Sequence, residues 1–199
     1  MHKPAETDLP LAVPIRDRWS PRAFADRSVA PDVLRTVLEA ARWAPSASNQ
    51  QPWRYVVARR EDGPAFEALL ACLNEINQRW AKHAPVLMLG FAKRTTPQGK
   101  PAFYAHHDLG AASLSMAIQA AAMGLQIHQM AGIHKPAMVE TVGAPDDFEP
   151  MTTLALGYPG DPDTLPGELA ERERAPRTRH RFDDLFFAGS WGDALPADP

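Results

Sequence analysis

The chain has 199 residues, 45% of them hydrophobic and 23% charged, which suits one soluble domain with a sizeable core. A formal net charge of -3 argues against nucleic acid, whose partners carry a basic balance. The single cysteine, Cys72, excludes an intrachain disulfide and suits a reducing cytoplasm.

The opening Met-His-Lys-Pro-Ala-Glu-Thr-Asp has no apolar core, so no signal peptide is expected. Proline is frequent, with 20 residues, many of them before Pro31 or after Asp146. Both termini are therefore expected to be extended arms. Pro31 to Arg42 reads as a helix, with Pro31 at its first position and Val33, Leu34, Val37, Leu38 and Ala41 on one face. Trp53 to Ala58 alternates as a strand, and Gly63 to Trp80 returns to helical period. Val86 to Ala92 is short and continuously apolar, as for a central strand buried on both faces. Thr95 to Pro101 is a polar loop. Tyr104 to Met123 is a helix rich in Ala and Ser, closed by Gly124. Within it begins the longest apolar stretch, Leu109 to Leu125, broken by Ser113, Ser115 and Gln119, which reads as a core helix and not a membrane span. Leu125 to Met130 and Met151 to Leu156 read as strands, with a short helix over Lys135 to Val142. Beyond Gly157, a polar arm leads to the apolar residues Phe182, Leu185, Phe186, Phe187 and Trp191, which either fold back or dock on another subunit. No Gly-x-Gly-x-x-Gly or Walker loop is present, and no internal repeat.

Three clusters carry chemistry. Arg16, Arg18, Ser20 and Arg22 stand in one short segment, where guanidinium forks match phosphate oxygens. The same residues also read as a solvated basic turn, with Arg16 paired to Asp17 or Asp26. Pro45-Ser46-Ala47-Ser48-Asn49-Gln50-Gln51-Pro52-Trp53 joins a helix to a strand with a density of hydroxyls and amides suited to a polar heterocycle, though loops favour such residues anyway. Arg177-Thr178-Arg179-His180-Arg181 is a basic run among Glu171, Glu173, Asp183 and Asp184, which alone reads as a solvated face. A metal site at His106, His107 and Asp108 with His128 and His134 is not expected, since adjacent helical histidines diverge by about 100°. Cys72 reads as a small apolar residue, and no Gly-x-Ser-x-Gly elbow supports a hydrolase.

In this order the clusters resemble the nitroreductase superfamily of FMN enzymes. Arg18-Trp19-Ser20-Pro21-Arg22 is similar to its N-terminal motif, and Ala41 to Trp53 matches its second motif almost throughout. Asn77-Gln78-Arg79-Trp80 with Ala84-Pro85-Val86, Gly124-Leu125 to Met130-Ala131-Gly132, and Leu156-Gly157-Tyr158-Pro159 resemble later landmarks, so the likeness runs over about residues 15 to 190. The resemblance implies an α+β fold, a mainly antiparallel sheet wrapped by helices, in an intertwined homodimer with exchanged C-terminal arms. Residues 1–160 would form the flavin-binding core and 161–199 the arm.

It also implies FMN as cofactor, with no catalytic side chain and no metal, since the flavin carries the chemistry. Arg18, Ser20 and Arg22 would meet its phosphate, ribityl chain and pyrimidine edge, flanked by Trp19, and Arg177 and Arg179 would complete the phosphate site. Pro45, Ser46, Ser48, Asn49 and Gln51 would approach from the other subunit. Asn77, Met130, Ala131 and Gly132 would lie near the ring, the last two through backbone N–H groups, with His128 and Gln129 beside it. Ala131 stands where some members carry an acidic side chain, so only a backbone role passes to it. The implied partners are NAD(P)H and a small planar acceptor such as a nitroaromatic or quinone, used in turn, with neither nucleic acid nor membrane. Alternatives are a specialised member (a dehalogenase, a flavin-consuming enzyme or a ring dehydrogenase) or a non-catalytic flavin-binding protein. The short Ala92 to Pro101 loop favours an open site over the lid that a specialised member needs, and turnover with NAD(P)H separates an enzyme from a binding module.

Overall fold

The computed structural model describes residues 1–196, so the last three residues of the expected arm lie outside the described residues. Four strands form one antiparallel sheet in the order β1-β2-β4-β3, with β1 Trp53–Arg59, β2 Val86–Lys93, β3 Gln126–Met130 and β4 Phe148–Gly157. Among the described residues seven α-helices surround it: α1 Val13–Asp17, α2 Pro31–Arg42, α3 Pro64–Ala71, α4 Glu75–Ala81, α5 Ala105–Ala122, α6 Lys135–Val142 and α7 Gly167–Arg174. The α+β class and antiparallel sheet expected from the sequence are what the structure shows.

Strand β2 explains the layering. Its side chains alternate between two buried faces, so every second residue enters a different core. Leu87, Leu89 and Phe91 join the core under α3, α4, α6 and α7, together with Phe66, Leu73, Trp80 and Leu169. Val86, Met88 and Ala92 join the core under α2 and α5, with Val37, Leu109, Met116 and Ile127. Burial on both faces is why β2 reads as an unbroken apolar run. In α5 the buried positions include Ala112, Ser113, Ala117 and Ala120, small residues that let helix and sheet lie close. No helix among the described residues is long and apolar enough to cross a membrane.

Three expectations are corrected. The helix expected over Gly63 to Trp80 is two helices. Its chain breaks at Cys72–Asn74, where Leu73 is fully buried and pairs with Ile133. The Asn74 N–H donates to Gly132 O (3.0 Å), and its side chain caps α4 by accepting from the Asn77 N–H (3.0 Å). A cap residue in mid-pattern outcompetes continued helix. Strand β4 starts before Met151 and contains Pro150, which stands beside a register shift at Gly90/Phe91, where a missing N–H is tolerated. The termini are less extended than expected. They contain α1 and α7, and proline stands in the first turn of α1, α2, α3 and α6, where its fixed φ and absent N–H suit a helix start.

The segment after Gly160 first packs on its own chain, with Leu165, Leu169 and Ala170 in the core. Gly160 itself lies where a Cβ would stand 2.5 Å from Phe24 C and 2.6 Å from Phe24 O. These are backbone atoms with no freedom to swing aside, and the isolated antiparallel bridge between Phe24 and Pro159 adjoins this point. Gly160→Ala is therefore expected to destabilise the fold by about 1–3 kcal/mol through overpacking, read as a lower denaturant midpoint at unchanged slope.

Candidate functional site

The arginine segment crosses the end of β3, and that strand holds it. Gln126 and His128, two residues apart, point to the same side. Gln126 accepts the Trp19 N–H (3.0 Å) through Oε1 and donates through Nε2 to Asp17 O (3.0 Å). His128 donates from Nδ1 to Pro21 O (2.8 Å) and packs its ring on Trp80 at 4.5 Å. The segment is fastened from a second side by Glu173 of α7, a carboxylate only 1% exposed. It accepts the N–H groups of Arg22 (2.9 Å) and Ala23 (3.0 Å) and faces the Arg22 guanidinium at 3.8 Å. Arg16 turns away to pair with Asp17 at 2.8 Å, while Asp26 is taken by Arg60.

What this scaffold creates is a cleft of about 230 Å3. It is lined by Arg18, Trp19, Ser20 and Arg22 from the N-terminal segment and by Arg172, Arg177 and Arg179 from the C-terminal one, with Lys3 at its edge. Six cations thus surround one buried carboxylate. Burial, and then repulsion from neighbouring arginines, draws the Arg18, Arg22 and Arg177 guanidiniums below their ordinary range. Such crowding favours a bound anion, and forked guanidiniums suit a phosphate. Neither Arg18 nor Arg179 pairs with a carboxylate among the described residues. Arg18 reaches Ser20 Oγ at 3.5 Å and Arg179 donates to Thr178 O. Arg177 has a more structural place than the sequence indicated, donating to Lys3 O (2.8 Å) and Arg16 O (3.1 Å).

The break between α3 and α4 builds a second feature. Asn77 Nδ2 donates to Gly132 O (3.1 Å), so Asn74 and Asn77 both clasp the residue after Ala131. A Cβ on Gly132 would stand 2.4 Å from Asn74 Nδ2 and 2.7 Å from Asn77 Nδ2, so a larger residue there would displace the two asparagines that clasp it. Among the described residues the N–H groups of Ala131 and Gly132 donate to no acceptor of the chain. Met130 beside them is buried and Ala131 exposed.

The Ser46–Gln51 loop is a third feature. Ser48, Asn49 and Gln51 all have positive φ (50°, 54° and 48°), a left-handed conformation costly for side-chain-bearing residues. The loop is held by the buried Asp108, which accepts the Ala47 N–H (3.1 Å), and by Ser46 Oγ, which accepts the Gln51 N–H (3.0 Å). Pro45, Ser46 and Ala47 line a shallow apolar depression with Tyr104 and His107, and none of its residues lines the arginine cleft. One chain therefore brings Arg18, Ser20, Arg22, Arg177 and Arg179 together, and keeps Ser46, Ser48, Asn49 and Gln51 apart from them.

Sequence reasoning missed Arg172 and Lys3 in the cleft and Gln126 on the strand that holds the arginine segment, and gave Glu173 no task. No local signal marks Gln126, which is one of three polar residues in β3. Sequence reasoning set His128 beside the presumed ring and did not foresee the neighbours the structure gives it, Trp80 and Pro21. His106 and His107 diverge to Glu149 and Asp108, and among the described residues no group of three or more metal-ligating side chains gathers. Cys72 is fully buried, its Sγ 3.4 Å from Ala68 O.

Burial holds the His128 imidazolium pKa down to about 4, aided by the Arg22 and Arg172 charges and opposed by the bond to Pro21. The unfolded chain takes up this proton near pH 6.5, before the folded one does. Stability is therefore complete above that pH, falls as pH drops from about 6.5 to 4, and levels below. The fall is expected to reach at most about 3 kcal/mol. Denaturation at a series of pH values checks it, with a shallower slope expected for His128→Asn.

Comparison with known proteins agrees with this architecture. The family model described as "Nitroreductase family" matches residues 15–158. A solved structure described as an oxidoreductase containing FMN is 39% identical and superimposes with a TM-score of 0.88, covering 94% of this chain and 96% of that one. An uncharacterised 15.4 kDa protein of Mycolicibacterium smegmatis is 34% identical over 150 residues, 71% of this chain and 99% of its own. A Streptomyces coelicolor protein provisionally named NADH dehydrogenase/NAD(P)H nitroreductase is 28% identical over 199 residues, 89% of this chain and 92% of its own. With its matched core, antiparallel sheet and arginine segment, the chain belongs to the nitroreductase family.

Proposed function

We propose that this chain is an FMN-dependent oxidoreductase, active as a homodimer, that takes electrons from NAD(P)H and passes them to small planar electrophiles such as nitroaromatics or quinones. The observation that carries the reading is the cleft of arginines drawn from both ends of the chain, cationic in excess of its one carboxylate and roomy enough for a phosphate group. FMN ends in one phosphate, and the similar solved oxidoreductase contains FMN. When bound, FMN supplies two-electron transfer through its N5 atom.

The residues then divide by task. Arg18, Ser20, Arg22 and Arg179 bind the phosphate and its neighbouring oxygens, and Trp19 walls the cleft. The cations of this segment also offset negative charge gained on reduction, an effect enlarged by burial. Ala131 and Gly132 offer free N–H groups on the edge kept open by Asn74 and Asn77. The strained Pro45–Gln51 loop, with Ser46, Ser48 and Asn49, serves the site of a second copy, which explains why it lies apart from its own chain's cleft. The exposed Phe182 (54%), Phe186 (49%) and Trp191 (92%) beyond α7 support an arm that covers its apolar face on that copy. On this reading residues 1–160 form the core and 161–199 the arm, whose first part through α7 packs on its own chain's core before the remainder departs. The turn after β2, closed by the Thr96 N–H on Lys100 O (2.7 Å), builds no lid, which favours an open and permissive pocket.

Purified protein is expected to be yellow and to release FMN on denaturation. Arg18→Ala with Arg179→Ala is expected to weaken FMN binding to the apoprotein by about 100-fold or more, from ~1.5–3 kcal/mol per charge-assisted bond, with little change in the unfolding midpoint. Release of FAD, or affinity unchanged in the double variant, would contradict the assignment. For turnover, NAD(P)H and the acceptor compete for one open face, so double-reciprocal plots at several quinone concentrations are expected to be parallel. Intersecting lines would exclude a shared face.

A further inference from the structure

Residues 1–14 precede the segment matched by the family model, yet they do not hang free. The Ala5 N–H donates to Arg16 O (2.7 Å), and Arg177 donates to Lys3 O (2.8 Å) and Arg16 O (3.1 Å). The Lys3 side chain runs the opposite way. Its Nζ donates to Glu173 O (2.6 Å) and Ala175 O (2.5 Å), the carbonyls at the end of α7, and lies 5.1 Å over the Trp19 ring. The result is a reciprocal clasp, in which residue 3 holds 173 and 175 while residue 177 holds residue 3.

This clasp sits at the arginine cleft, and Lys3 lines it beside Arg18, Arg22, Arg172, Arg177 and Arg179. An ammonium carries three donors, and two are spent on the carbonyls, so one remains for an oxygen in the cleft. A helix C-terminus favours a cation on its own account. That need is met by two carbonyl bonds, and it does not explain a sixth positive charge among five arginines. Burial draws the Lys3 ammonium below its ordinary range, Arg177 and Arg22 pull the same way, and only Glu173 opposes them. A dianion in the cleft offsets all of these costs except burial.

We propose that Lys3 is a further phosphate-binding residue, carried on an N-terminal strap outside the matched family segment, and that its clasp with Arg177 closes the phosphate end of the cleft. The inference rests on the flavin reading above for the identity of the ligand, and on the clasp alone for the site. The strap adds a cation that no motif announces and presents Arg177 from a fixed backbone.

The test compares FMN with riboflavin, which lacks the phosphate, on wild type, Lys3→Met and Lys3→Arg apoprotein. Lys3→Met is expected to weaken FMN by about tenfold or more, as for one charge-assisted contact, with riboflavin changed by less than ~twofold on the same scale. Lys3→Arg is expected to keep most of the FMN affinity. Equal weakening of FMN and riboflavin would make Lys3 a structural tether only, and unchanged FMN affinity would remove it from the site; either result overturns the proposal. Inorganic phosphate is titrated in parallel, read as the rise in unfolding midpoint. A larger rise for wild type than for Lys3→Met supports the Lys3 site even where flavin does not bind, which would overturn the flavin reading alone. Equal rises would overturn the Lys3 site whatever the flavin result.

Discussion

The structure depends on one buried carboxylate. Glu173 accepts the N–H groups of Arg22 and Ala23 across a sequence separation of 151 residues for Arg22, and in doing so ties the last α-helix to the arginine segment. Crowding arginines is unfavourable unless something fixes their backbones, because each guanidinium gains by moving away from the others. Glu173 does this from one side, and Gln126 and His128 do it from the other, chiefly by bonding main-chain atoms. The scaffold thus uses neutral amide chemistry and one negative charge to hold a positive cleft.

A different strategy maintains the Ser46–Gln51 loop. Three left-handed, side-chain-bearing residues within four positions are a local cost of order 1–3 kcal/mol each. The loop holds this shape because Asp108 and the Ser46 hydroxyl satisfy its backbone and because α2 and β1 fix its ends. Both the cleft and the loop are strained, one electrostatically and one sterically, and both rest on polar groups buried behind them.

Much of the fold was legible in the sequence because its signals are local. Val86 to Ala92 shows its double burial directly, and Pro31 with its apolar spacing shows α2. The break at Cys72–Asn74 was hidden because Leu70, Leu73 and Trp80 keep helical spacing on both sides of it, and the tertiary bond from Asn74 to Gly132 decides the outcome. The abundance of proline was misleading for a related reason, since the same residue opens helices and extends arms. In the site, Arg18, Ser20 and Arg22 stand inside a recognisable motif, whereas Lys3 and Arg172 lie outside any. Their approach is set by the return of α7 to the sheet, which no spacing in the sequence encodes. His128 shows a role no spacing announces: strand alternation turns it toward Trp80 and the backbone of Pro21.

The cleft is also a knot between the two ends of the chain. Bonds from Lys3 to Glu173 and from Arg177 to Lys3 span 170 and 174 residues, nearly the whole molecule. Contacts so distant in sequence form late, since the loop they close must first be ordered. A chain emerging from synthesis therefore holds its core strands before the arginine cleft is assembled, since α7 must be complete to supply Glu173 and Arg172. On the proposed reading, a phosphate held there would act as a staple on both termini at once, stabilising the folded state in proportion to the logarithm of its concentration. Proteolysis at either end would then serve as a gauge of occupancy, with trimming slowed together at residues near 3 and near 177 as the ligand fills the cleft.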